Sequence, residues 1–289
     1  MDRLLFVFLL TAFINLINTL TRSSRLSGVR TKHLATAISL FSVVYLAASF
    51  ANTLQAPLLA STVESTIEEA YGQSLLLYPN NALESPLYQQ TLVELSSKLR
   101  FVIFGATLGT VAGMLVIPSF VTSFSNAIRS FGRTGSVFKV IYLFFVSMFK
   151  PGSGILRFRM SSRDTLRELL TWKMSIPKGF LYWNLASYSL WTVNVLSGLY
   201  AGALYPEFRS TAVLMASIVG NAAIVVNVMM VDPILARVTD DVARKVRKEI
   251  ELKQIVFFLA ISNLLGTLLS QAVLEPVAWV LQLLTRWIT

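Results

Sequence analysis

The sequence contains no cysteine and a single histidine, His33. Without thiols there is no disulfide framework, no thiolate metal site and no cysteine nucleophile. One histidine excludes histidine-rich metal centres and two-histidine acid–base machinery. No Gly-x-x-x-x-Gly-Lys-Ser/Thr stretch occurs, so nothing is set up to cradle the phosphates of ATP. Charge is scarce too: 14% of the residues carry one, against about 25% in soluble domains. That is too little to coat a water-facing surface. What the chain has instead is apolar bulk, with 54% hydrophobic residues and a mean hydropathy of +0.63.

Six apolar segments, 4–20, 34–59, 101–120, 180–204, 211–235 and 255–274, approach or exceed the roughly 20 residues that cross a bilayer. They predict an all-α polytopic integral membrane protein of about six transmembrane helices, in a single membrane domain over 1–289. The first segment is expected to be a retained helix, because asparagines interrupt its apolar run and no small-x-small site precedes Arg22. No cofactor and no metal are expected.

Twenty of the 25 basic residues fall in three segments, 22–33, 122–178 and 236–253. The segments between, 61–98 and 204–210, hold only Lys98 and Arg209. Basic and non-basic connections alternate, so the positive-inside rule predicts both termini outside and three basic loops in the cytoplasm. The net charge of +10 is then a charge toward anionic lipid, worth about 1 kcal/mol per residue, and nucleic acid is not needed to explain it. Within the second basic segment, Ser136–Phe149 is apolar except for Lys139. It is too short to span, and is expected to be interfacial or re-entrant. Its flank of Arg157, Arg159, Arg163, Arg167, Lys173 and Lys178 with Trp172 reads as a headgroup-gripping surface or as an ordinary positive-inside loop.

Local signals are few. Ser85-Pro86 reads as the N-cap and first position of a helix running into the third span. In Thr239–Gln254, Asp240/Arg244, Asp241/Lys245 and Glu249/Lys253 are four apart, the pattern of one solvated helix. Gly105, Gly109 and Gly113, and again Gly198 and Gly202, form small-xxx-small patterns that pack helices closely.

The spans themselves carry polar stripes. Asn15, Asn18, Arg22 and Arg25 follow helical spacing into the first basic segment, which continues with Arg30 and Lys32. Asn52 and Gln55 lie in the second span, Asn184 and Asn194 in the fourth, Asn221 and Asn227 in the fifth. Asn263 and Gln271 lie in the sixth, in a stripe that ends at Glu275. Such side chains are costly in lipid, so they face one another or a wet cavity. Interhelical glue, at about 0.6 kcal/mol per contact, accounts for any one of them. Stripes on at least four helices predict a cavity. Glu275, before Pro276, is either the wet end of its span or a carboxylate suited to ion coupling.

The stretches Arg25-Leu-Ser-Gly-Val-Arg-Thr-Lys32, Leu34-Ala-Thr-Ala-Ile-Ser-Leu-Phe41 and Ala51-Asn-Thr-Leu-Gln-Ala-Pro57 resemble the opening of the Amj family. Those proteins are bacterial alternate lipid II flippases, and the likeness is tightest over about residues 15–60. The resemblance implies translocation of undecaprenyl-pyrophosphate-linked peptidoglycan precursor across the bacterial cytoplasmic (inner) membrane. It supplies no site residues. The arginines and Lys32 fit a pyrophosphate, because guanidinium forks match phosphate oxygens, and the stripes fit a sugar-peptide headgroup. Two other functions remain open at this point: a membrane enzyme on polyprenyl (pyro)phosphates, which needs an acid–base or metal cluster, and a non-transporting scaffold for the cell envelope.

Overall fold

The computed structural model describes residues 2–136, 142, 169 and 178–289. Most of the short apolar segment 136–149 and its arginine-rich flank lie outside the described residues. The chain is an all-α polytopic membrane protein, with no strand among the described residues. Its helices are α1 (Asp2–Thr21), α2 (Ser23–Thr31), α3 (Leu34–Leu77), α4 (Pro86–Thr134), α5 (Gly179–Leu204), α6 (Arg209–Val226), α7 (Asp232–Ala243) and α8 (Glu249–Ile288). A π-helical turn, Asn227–Val231, joins α6 to α7.

Among the described residues, five stretches are long and apolar enough to cross a membrane: Arg3–Thr31, Leu34–Leu77, Pro86–Arg133, Pro206–Ala243 and Glu249–Ile288. The remaining expected span, α5, has 26 residues but is more polar. It is packed by α8, α6, α4 and α3, and Tyr188 hydrogen-bonds across to α1. Asn184, Ser187, Ser189 and Ser197 are buried there, so its polar groups meet other helices and not lipid.

Glycine lets α1 and α4 touch. A Cβ at Gly109 would stand 2.0 Å from the Ala12 carbonyl oxygen, and one at Gly105 2.7 Å from that of Phe8. Only a hydrogen fits. Gly198 faces Ala216 of α6 in the same way, at 2.6 Å. On the other side of α5, Gly266 of α8 lies against the Leu185 carbonyl and Tyr188.

The apolar core falls into two clusters at opposite ends. One joins Val63, Ile67, Tyr88, Leu95, Ala203, Leu274 and Leu281. The other joins Leu26, Phe41, Phe124, Phe180, Leu235 and Leu252. Basic residues dominate the second end, and Glu64, Glu68, Glu69, Glu84, Glu94 and Glu207 lie at the first. At the acidic end α3 and α4 form a long hairpin. Ser85 caps α4, its Oγ accepting from the Tyr88 N–H at 3.2 Å, with Pro86 at the first position. Tyr88 donates to the carbonyl of Ala203 at 2.6 Å and ties the hairpin to the end of α5.

Two expected features differ. The first basic segment is no loop: it is α2, with Ser23, Ser24, Ser27 and Leu26 buried. Ser27 donates to the Val121 carbonyl of α4 at 3.1 Å. Nor is Thr239–Gln254 one helix. α7 ends at Ala243, and Lys245 takes a left-handed φ of 62°. Asp241 pairs with Arg247 at 3.0 Å in place of Lys245, and Arg247 also reaches Glu251 at 2.9 Å. Hydrogen bonds donated to Glu251 and Asp241 raise the pKa of the Arg247 guanidinium above its ordinary value and keep the turn clamped. Of the expected i,i+4 pairs, Glu249–Lys253 forms, at 3.1 Å.

Candidate functional site

Arg22 stands at the break between α1 and α2. The hydroxyls of Ser23 and Ser24 turn back onto the carbonyls of Leu20 and Thr21, at 2.6 and 2.7 Å. Such back-bonding bends helices. Here it aims the arginine inward. Its guanidinium donates to Oδ1 of Asn184 at 2.5 Å and to Oδ1 of Asn227 at 3.1 Å. Asn184, fully buried, passes its own amide on to Oδ1 of Asn263 at 2.8 Å and to the Leu259 carbonyl at 3.4 Å. The cation at the α1–α2 break thus meets α5 and the π turn directly, and α8 through Asn184.

The partners of Arg22 are neutral amides. They orient the guanidinium without cancelling its charge, as an anion-binding fork requires. Further along α1, Tyr188 donates its hydroxyl to Oδ1 of Asn15 at 3.0 Å, and the Asn15 amide returns to the Thr11 carbonyl at 2.9 Å.

Around this network lies a cavity of about 420 Å³, within the range of about 300–1,000 Å³ usual for small-ligand sites. Asn18, Arg22 and Arg25 line it from α1 and α2, with Tyr45, Tyr188, Trp191, Asn227, Asp232 and Asn263 opposite. A smaller void of about 50 Å³ lies farther along α1 toward the acidic end, lined by Thr11, Asn15, Asn52, Gln55, Trp191 and Asn194. Trp191 borders both.

The structure thus gathers Asn15, Asn18, Arg22, Arg25, Asn52, Gln55, Asn184, Asn194, Asn227 and Asn263 in one polar tract. It leaves the other expected residues elsewhere. Arg30 is ion-paired with Glu249 at 2.8 Å, and Lys32 closes α2 in a left-handed conformation, exposed. Asn221 is exposed on α6. Gln271 and Glu275 face α4 near the acidic end. There Gln271 donates to the Arg100 carbonyl at 3.1 Å, and Arg100 pairs with Glu275 at 2.9 Å. Ser96 adds a hydrogen bond to the same carboxylate at 2.8 Å, and Arg100 also donates to the Gln271 carbonyl.

Tyr45 follows the polar stripe of the second span, at helical spacing from Asn52. Two lining groups were not legible as site residues: Tyr188 and Asp232. Tyr188 resembles an ordinary core aromatic. Asp232 follows Asn227 by five positions, a spacing that puts two α-helical residues on different faces. The π turn bonds each residue to the fifth one on, and so brings them to the same side. The available signal was an acid before proline, Asp232-Pro233, inside an apolar segment.

A profile of the Amj family, described as "Alternate to MurJ", matches residues 10–285. A protein of Bacillus subtilis (strain 168) named "Lipid II flippase Amj" is 33% identical over 288 residues, covering 99% of this chain and 97% of that one. No solved structure matches.

Proposed function

The chain belongs to the Amj family, and from that membership we propose that it is a flippase moving lipid II from the cytoplasmic to the outer leaflet of the bacterial inner membrane. The carrying observation is the Arg22 fork, held open by Asn184 and Asn227 over a cavity of about 420 Å³. Lipid II presents a pyrophosphate, a polar sugar-peptide headgroup and a polyprenyl tail. Arg22 and Arg25 suit the pyrophosphate, and the amides of Asn15, Asn18, Asn52, Gln55 and Asn194 suit the sugars beyond it. Both arginines stand at the basic end, the end that faces the cytoplasm by the positive-inside rule and therefore the leaflet in which lipid II is made. The cavity holds the diphosphate part of the headgroup and not the whole disaccharide-pentapeptide, so the outer part of the headgroup extends into the polar tract or into water.

Glu275 has a fastening role in this reading: with Arg100 it ties α8 to α4. The test is the exposure of lipid II at the outer leaflet of vesicles containing the purified protein, followed with an impermeant probe. Faster exposure than in protein-free vesicles supports transport. Release of phosphate from the lipid would instead favour the enzyme reading, and no change in either would favour the scaffold.

A further inference from the structure

The cavity holds a carboxylate that nothing above accounts for. Asp232 lines it together with Arg22 and Arg25. Carboxylates outside the cavity contacts have cationic partners or share one: Glu249 pairs with Arg30 and Lys253, Asp241 and Glu251 with Arg247, and Glu275 with Arg100. Asp232 makes no ion pair within 4.0 Å among the described residues. The titratable groups lining the cavity with it are Arg22 from the α1–α2 break, Arg25 from α2, Tyr45 from α3 and Tyr188 from α5, while α8 offers the neutral Asn263 and the π turn Asn227. With both arginines charged and Asp232 ionised, the cavity carries a net single positive charge. A diphosphate linking a prenyl chain to a sugar carries two negative charges at neutral pH. Loading it leaves one uncompensated negative charge in a partly dry site, where unpaired charge is costly. One added proton restores neutrality, and the carboxylate beside the incoming phosphate oxygens is the group that can accept it.

We propose that Asp232 takes up one proton when the lipid diphosphate enters the cavity and returns it to water when the diphosphate leaves. This rests on the flippase reading and adds the coupled ion to it. The proton comes from water at the basic end of the cavity and resides on a carboxylate oxygen of Asp232. The ionised form, once restored, repels the departing phosphate and returns the empty carrier to its starting charge. The diester diphosphate has no group of its own that titrates near neutral pH, so any linked proton belongs to the protein.

The experiment measures lipid II binding to the full-length protein in nanodiscs from about pH 5.5 to about pH 8.5, with proton uptake followed by a dye in weak buffer. A group that gains a proton on binding gives an affinity that is full at low pH and weakens as pH rises, by up to about tenfold per pH unit for one proton. Wild type is expected to show that fall and to take up close to one proton. Asp232→Asn is expected to bind with the low-pH affinity throughout and to take up none, and Asp232→Glu to keep the pH dependence. Binding without proton uptake by wild type, or the same pH dependence in Asp232→Asn, overturns the proposal while leaving the flippase reading intact. So does binding that requires added Mg²⁺ or Na⁺ in place of protons. Absence of lipid II binding by folded wild-type protein at every pH sinks the flippase reading and this inference with it. If Asp232→Asn fails to fold, the wild-type proton count alone decides.

Discussion

At the scale of single residues, the site is a cation steered by amides, and each amide has a separable role. Arg22→Ala removes the fork and two charge-assisted hydrogen bonds, each worth about 1.5–3 kcal/mol. Lipid II exposure in vesicles is expected to slow by about tenfold or more. Arg22→Lys should recover only part, because an ammonium cannot reach two divergent amide oxygens and a diphosphate together; full recovery would reduce Arg22 to a topology signal. Asn184→Leu leaves the guanidinium and Asn263 without their shared partner in a buried place. A lower melting temperature and slower transport are both expected, and unchanged values of both would remove the node from the mechanism. For the Arg100–Glu275 pair, part-exposed on both sides, the expected loss on Glu275→Gln is modest, about 1 kcal/mol. Exchanging the two charges should restore part of it. A carboxylate that carried the coupled ion would instead be irreplaceable in either arrangement, so transport by the charge-exchanged protein separates the two roles.

At the scale of elements, the π turn and the glycine contacts do most to shape the site. Deleting Met229, exposed within the turn, leaves Asn227 and Asp232 four positions apart, and a continuous α-helix keeps both on the cavity side. Such a protein should still insert and transport. Inserting one alanine after Met229 separates them by six positions, turns Asp232 to another face of a continuous α-helix and should lose transport, whereas Met229→Leu should be silent. Gly109→Ala is expected to be strongly destabilising, since its Cβ meets the backbone of Ala12. Gly72→Ala, in open space inside α3, should raise stability by about 0.5–1 kcal/mol; thermal unfolding in detergent reads both. The sequence made the stripes visible because Asn15, Asn18, Arg22 and Arg25 repeat with the helical period, and it made the glycine seam visible for the same reason. It hid Asp232, because periodicity assumes a continuous α-helix. It also hid the partner of Glu275, because Arg100 lies 175 positions away. The break at Arg244–Lys248 was masked by i,i+4 charges that look helical but close a turn.

At the scale of the whole molecule, orientation can be tested directly because the chain has no cysteine. Ser65 on α3 and Val246 in the turn between α7 and α8 are exposed at opposite ends. An impermeant thiol reagent added to intact cells is expected to label Ser65→Cys and not Val246→Cys. The reverse would place Arg22 at the outer face and overturn the direction of loading. Apolar length marked the spans but not how far the helices run. α3 has 44 residues and α4 has 49, about 66 Å and 74 Å at 1.5 Å per residue, against a hydrocarbon thickness of about 30 Å. The polar stretches beyond each apolar run are helical as well, held by Tyr88, Leu95 and the end of α5. A chain of 32.1 kDa buried wholly in a detergent belt offers an electron microscope almost nothing to align. The α3–α4 hairpin stands clear of that belt as a rigid, asymmetric rod, and so serves as the molecule's own fiducial mark for imaging it loaded and empty.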